Sequence, residues 1–236
     1  MQPASSIADT SLARSSGAYL SLRFVAGLEI VSVVSSVLLT AWVLNPLQLH
    51  QRWLEAVPGL CALLLMIRSH QLHGETLTQL GFTTKQFGRA VKLLLGPMAV
   101  VAALLLSLGY VAGSLQFGQR FWLSLLLLPL WGVTQQYILQ GFIYRRLQLI
   151  FGPQKNGRTI FVAALLFALV HVPNVPLMLL TLIGGLVWTW VYARAPNLLA
   201  LGLSHALMSA IAMSSLPAWF LQSMSIGYKY LIYQRF

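Results

Sequence analysis

Gln135, Gln136, Gln140, His171, His205 and Ser209 are the side chains in this sequence whose types and spacing could do chemistry together, and all of them lie in apolar runs. In hydrocarbon an amide or imidazole without a partner costs on the order of several kcal/mol, so such groups tend to cluster. On a helix Gln136 and Gln140 are one turn apart and face the same way, with Gln135 beside them. Phe167 with His171, and His205 with Ser209, repeat that one-turn spacing in two later runs. A neutral imidazole keeps one donor and one acceptor to satisfy, so the two histidines are expected to face one another. Such a set would form a polar site inside the membrane, able to hold a water. An amide can orient the water and an imidazole can take its proton, a contribution of roughly a hundred- to ten-thousand-fold in rate.

The scarcity of acids narrows this chemistry. Asp9, Glu29, Glu55 and Glu75 are the only carboxylate side chains, so nothing beyond residue 75 but the C-terminus ionises as one. Paired aspartates are excluded. No His-Glu-x-x-His helix is present, and His70, His73 and Glu75 lack its spacing, so they read as a solvated loop. Two histidines with Gln and Ser lack the third strong ligand of hydrolytic zinc sites, and no metal or cofactor is expected. A serine dyad from Ser204 or Ser209 competes with the commoner role of membrane serines, which is to hydrogen-bond a neighbouring helix. Cys61, the single cysteine, excludes an internal disulfide and reads as a small buried residue.

Holding these groups requires helices that cross a bilayer. The 236 residues are 58% hydrophobic and 8% charged, whereas water-facing surfaces normally need far more charge. The fold class is therefore an all-α, polytopic membrane helix bundle. Apolar runs at 24–43, 54–67, 91–111, 121–144, 160–172, 177–192 and 198–213, against the ~20 residues that span a bilayer, predict seven or eight transmembrane helices, the eighth over 218–233. Residues 1–23 are polar, without the apolar core of a cleaved leader, and read as an N-terminal cytoplasmic tail. Residues 24–236 read as a single transmembrane domain.

The net charge of +11 is scattered between apolar runs, which argues for lipid headgroups as neighbours and against nucleic acid. With eight helices and the N-terminus inside, only Arg52 and Arg120 fall outside, so both termini are expected in the cytoplasm. Arg145 and Arg146 are expected at the water interface, and Gly141 to admit a neighbouring helix. The basic connection 68–92 is expected to lead into a helix capped at Thr83 or Thr84.

The order of these polar elements resembles the CPBP family of intramembrane proteins, which includes CAAX prenyl proteases and bacteriocin-processing or immunity proteins. That family's Glu-Glu-x3-Arg-Gly, Phe-x3-His and His-x3-Asn would correspond to Gln135-Gln136-x3-Gln140-Gly141, Phe167-x3-His171 and His205-x3-Ser209. The Leu-Gly-Phe of 80–82 is also similar, and the likeness spans about 80–213. It implies a glutamate-and-histidine endopeptidase acting on, or binding, a membrane-associated peptide or protein in a prokaryotic cytoplasmic membrane. His171 would help activate water, with Gln135 and Gln136 in the positions of the acids. His205 and Ser209 would donate to the oxyanion, and Gln140 and Phe167 would lie against the substrate. An amide takes up no proton near neutral pH, so hydrolysis is expected to be impaired unless His171 alone, or Glu29 from the first helix, supplies the base. The alternative is a non-catalytic binding, chaperone-like or transport protein using the same polar cavity.

Overall fold

The computed structural model describes residues 5–47, 52–152 and 157–233, and among these there are helices and turns but no strand. In chain order the main helices are α1 (Ser5–Leu39), α2 (Val57–Leu72), α3 (Phe87–Val111), α4 (Gln119–Gln136), α5 (Arg145–Phe151), α6 (Gly157–Leu169), α7 (Val175–Tyr192), α8 (Leu198–Ser215) and α9 (Gly227–Tyr233). Helix α1 begins within the stretch expected to be a tail. A wider π-helical segment, Tyr137–Tyr144, joins α4 to α5, so Gln119–Phe151 forms one continuous rod.

Five helical stretches among the described residues are long and apolar enough to cross a membrane: Ser21–Leu47, Phe87–Val111, Gln119–Phe151, Val175–Tyr192 and Leu198–Ser215. The chain is a multi-pass membrane protein, but the expected seven or eight spans are not reached by length and composition. Helix α2 has 16 residues and α6 has 13. At 1.5 Å per residue these reach roughly 24 and 20 Å, short of the ~30 Å hydrocarbon core. The stretch expected as an eighth span is broken, because Gln222, Ser223 and Met224 all take positive φ between Ala218–Leu221 and α9.

Close contact between α4 and α8 brings the glutamines to the His205 helix. A Cβ on Gly202 would stand 2.7 Å from the backbone N and Cα of Val133, and one on Gly132 would strike the Gly202 carbonyl oxygen. No larger residue fits at this crossing. Gly141 plays a different part from the one expected, since its open side is filled by the ring of Tyr137, 2.8 Å from where a Cβ would lie.

The start of α8 is fixed from the other side. Asn197 caps it through Ala200 N at 2.8 Å and donates to the carbonyls of Thr83 and Lys85 at 2.6 and 2.9 Å. Leu198 N donates to Gly81 O at 2.9 Å, and Tyr192 Oη donates to Leu80 O at 2.8 Å. The Leu-Gly-Phe turn is thus a seat for α8. Helix α3 starts later than expected, at Phe87, after Gln86 takes φ 64°, and Thr83 Oγ1 instead accepts from Lys85 N at 3.1 Å.

Arg146 corrects a further expectation. Far from lying in water, it is 1% exposed and donates to Glu29 Oε2, Glu75 Oε2 and Ser69 Oγ, each at 2.9 Å. Ser69 Oγ in turn donates to Glu29 Oε1 at 2.6 Å, while Arg145 Nε donates to Glu75 Oε1 at 2.6 Å. His70 and Glu75 are therefore not a solvated pair. His70 Nδ1–H donates to Glu75 Oε2 at 2.6 Å, and that short bond excludes the same nitrogen as an acceptor for Arg146 at 3.4 Å. Burial alone would raise the Glu75 pKa, but the hydrogen bonds from His70, Arg146 and Arg145 outweigh it and hold the carboxyl well below the usual carboxylate range. The cluster ties α1, α2 and the following loop to the end of the α4–α5 rod. Cys61, expected to be buried, is exposed on α2.

Candidate functional site

Between α3, α4, α7 and α8 lies a cavity of about 460 Å³ whose wall includes Gln135, His171, His205 and Ser209, with Trp188 beside them. The rest of its lining is mostly apolar and rich in methionine, from Met98, Met208, Met213 and Met224, with Thr181 and Ser223 the polar exceptions. Among the described residues no carboxylate, Lys or Arg lines it. A space of this size holds a small-molecule-sized or side-chain-sized apolar group, with a few polar atoms to orient it.

The predicted residues divide into a wall and a layer behind it. Gln136 and Gln140 are both fully buried and do not reach the cavity. Gln136 Nε2 donates to His205 Nδ1 at 3.3 Å, and Gln140 Nε2 donates to Gln136 Oε1 at 3.4 Å and to Thr189 Oγ1 at 3.0 Å. Phe167 also stands behind the wall, with its ring edge-on to His171 at 5.1 Å and to His205 at 5.9 Å. Gln140 and Phe167, expected against the substrate, stand behind the wall in this structure: the first bonds Thr189, and the second is wedged between the two imidazoles.

His171 follows the end of α6, where its Nδ1–H donates to the Phe167 carbonyl at 2.7 Å. The one-turn spacing read from the sequence is what puts that carbonyl in reach. His205 sits mid-way along α8 and is stacked on Trp188 at 4.4 Å with planes 21° apart. Trp188 Nε1 donates to Ser204 Oγ at 3.2 Å, which gives Ser204 a helix-bridging role in place of a nucleophilic one. Room for the indole comes from Gly184, where a Cβ would lie 2.6 Å from the ring. Two buried carbonyl oxygens, Gln135 Oε1 and Gln140 Oε1, have no hydrogen-bond partner.

Trp188 and Thr189 were missed by sequence reasoning. Both lie in a run that reads as continuous apolar helix, and a threonine there ordinarily bonds its own backbone, so only the neighbouring Gln140 distinguishes Thr189. Glu29, considered as a base, is held by Arg146 and Ser69 in the ionic cluster and is not in the cavity wall.

Residues 116–211 match the family model for type II CAAX prenyl endopeptidase Rce1-like proteins. This segment is similar to an Rce1-like domain. It runs from just before α4 to within α8, and so contains the amide cluster and both histidines. This match, to a group that falls in the CPBP family, agrees with the motif order and supports an intramembrane endopeptidase type of function. No curated protein and no solved structure matches the chain.

Proposed function

We propose that this protein receives a membrane-associated peptide in the 460 Å³ cavity and that its hydrolytic step is impaired, because amides stand where the Rce1-like resemblance calls for acids. The observation that carries this reading is a wall that unites Gln135, His171, His205 and Ser209 while containing no carboxylate. In this reading His171 takes the proton of a water, Gln135 orients that water, and His205 and Ser209 donate toward the oxygen of the peptide carbonyl. With no acid to share the proton, the water is activated by imidazole alone. Gln136, Gln140 and Phe167 support the imidazoles from behind.

The same carboxylate-free wall favours a second reading, a binding, chaperone-like or transport protein that uses the cavity without hydrolysis. Prenylated and leader-type peptides incubated with the purified chain separate the two. Cleavage that disappears in His171→Ala identifies a peptidase, whereas retained binding without cleavage identifies a pseudoenzyme. Absence of both binding and cleavage across the panel would overturn the peptide reading.

We further propose a prokaryotic cytoplasmic membrane with both termini on the cytoplasmic side, a cytoplasmic segment over 1–23 and a functional core over about 80–213. The distribution of Lys and Arg supports the orientation, and the seating of α8 on the Leu80–Phe82 turn supports the start of the core.

A further inference from the structure

The hydrogen bonds behind the cavity have a direction, and that direction determines which nitrogen of His205 carries its proton. Gln140 Nε2 donates to Thr189 Oγ1 at 3.0 Å and to Gln136 Oε1 at 3.4 Å, so the Gln136 oxygen is committed as an acceptor. Its Nε2 is then the end turned to His205 Nδ1, 3.3 Å away. A carboxamide nitrogen only donates, so Nδ1 must be the bare nitrogen and Nε2 the protonated one.

Reversing every bond in the chain would place Thr189 and Gln136 as donors to the Gln140 oxygen and His205 Nδ1–H as donor to Gln136. That arrangement strands the Gln140 amide hydrogens in a residue with 0% exposure. The observed direction strands only the Gln140 oxygen. An under-satisfied buried carbonyl is tolerated more readily than an orphaned buried N–H, so the observed direction is the stable one. The Trp188 stack resists a ring flip of His205 that would evade the constraint. His171 is fixed in the opposite sense: its Nδ1–H is used on the Phe167 carbonyl, which leaves Nε2 as an acceptor.

We propose that Thr189, Gln140 and Gln136 are positioning residues that act through His205, a hydrogen-bonded chain from α7 to α8 that presents Nε2–H to the cavity as a donor while His171 presents a bare nitrogen. The pair accepts a neutral group that offers one acceptor and one donor, as a peptide amide or an amide-bound water does. A charged group has no counter-ion among the described residues of the wall. A glutamate at position 136 would invert the arrangement, because a carboxylate accepts from Nδ1–H and so frees the Nε2 lone pair. That the ligand is a peptide rests on the function proposed above; the protonation pattern of His205 does not.

The test is long-range proton–nitrogen NMR on the full chain labelled with ¹⁵N-histidine in lipid nanodiscs, with His205 assigned by its loss in His205→Gln. The wild type is expected as the Nε2–H tautomer, Thr189→Val as a mixture of both, and Gln136→Glu as the Nδ1–H form or the imidazolium. An Nδ1–H wild type, or an unchanged Nε2–H form in Gln136→Glu, would overturn the proposal. Should Gln136→Glu fail to fold, the near-isosteric Thr189→Val decides, and a spectrum identical to wild type counts against the chain. A merely structural role would lower thermal stability without moving the tautomer. Peptide binding measured on the same samples keeps the two readings apart, since its loss with the expected tautomers intact sinks the peptide reading alone.

Discussion

At the Arg146 end of the α4–α5 rod, two arginines, two glutamates and a histidine are packed against one another, whereas around Gln136 on the same rod the polar groups are amides, imidazoles and a threonine without a formal charge. Ions removed from water are held only by close opposite ions and further hydrogen bonds, and here both glutamates have them. Arg145, at 25% side-chain exposure, still reaches toward solvent. Neutral amides impose a smaller desolvation cost and tolerate an unpaired oxygen, which is the state of Gln135 and Gln140. Two of the four acids in the chain are thereby committed to structure. Among the described residues the cavity wall holds no Asp, Glu, Lys or Arg.

The most severe challenge to this division puts charge where the amides are. Gln135→Glu, Gln136→Glu and Gln140→Arg together should raise peptide hydrolysis by roughly a hundred- to ten-thousand-fold, as read by cleavage of prenylated peptides, if base catalysis is what the cavity lacks and the arginine at 140 pairs with the carboxylate at 136 so that His205 keeps its Nε2–H. A folded triple variant with unchanged activity would count against the assigned geometry. Removing charge from the other cluster tests its structural role. Arg146→Met leaves Glu29 and Glu75 without their shared partner and should cost about 3–5 kcal/mol, measured by denaturation in mixed micelles. Cleavage or binding should suffer only in proportion to the folded fraction.

The acid side of the comparison has a definite pH signature. Because the folded-state Glu75 pKa is depressed, its contribution to stability is fully present above the ordinary carboxylate value of ~4.3 and is lost as pH falls toward the lower folded value. The wild-type melting temperature should be insensitive to this group between pH 5 and 7, taken as about that range, and should fall below roughly pH 4. Glu75→Gln should flatten that acid limb; an unaltered limb would remove Glu75 from the account. The smallest effect is expected for Arg145→Gln, about 1 kcal/mol or less, since its ion pair is partly open to water.

Much of the site was legible because one-turn spacing survives folding. The His171 and Phe167 pair needs only a helical turn to bring ring and carbonyl together, and Gln136 and Gln140 do bond one another. The all-helical, multi-pass character followed from composition for a similar reason, since bilayer length and hydropathy are local properties. What could not be read was set by contacts distant in sequence. Thr189 became visible only when α7 was laid against the π segment, and Arg146 only when α2 and its loop closed over it. The loop residue Glu75 looks like solvated surface until two arginines about 70 positions later, and His70 from the end of α2, are placed upon it. The short α2 and α6 and the broken 218–233 stretch likewise depend on packing and on backbone turns that hydropathy does not register.

The π segment at Tyr137–Tyr144 has an architectural consequence for how one rod serves two clusters. In an unbroken α-helix each residue advances about 100° around the axis, so the bearing of the arginines would be dictated by that of the glutamines. A stretch wound with an extra residue per hydrogen-bonded ring changes the phase between its two ends. The glutamines can aim at α7 and α8 while the arginines aim at α1 and α2, and neither bearing has to compromise for the other.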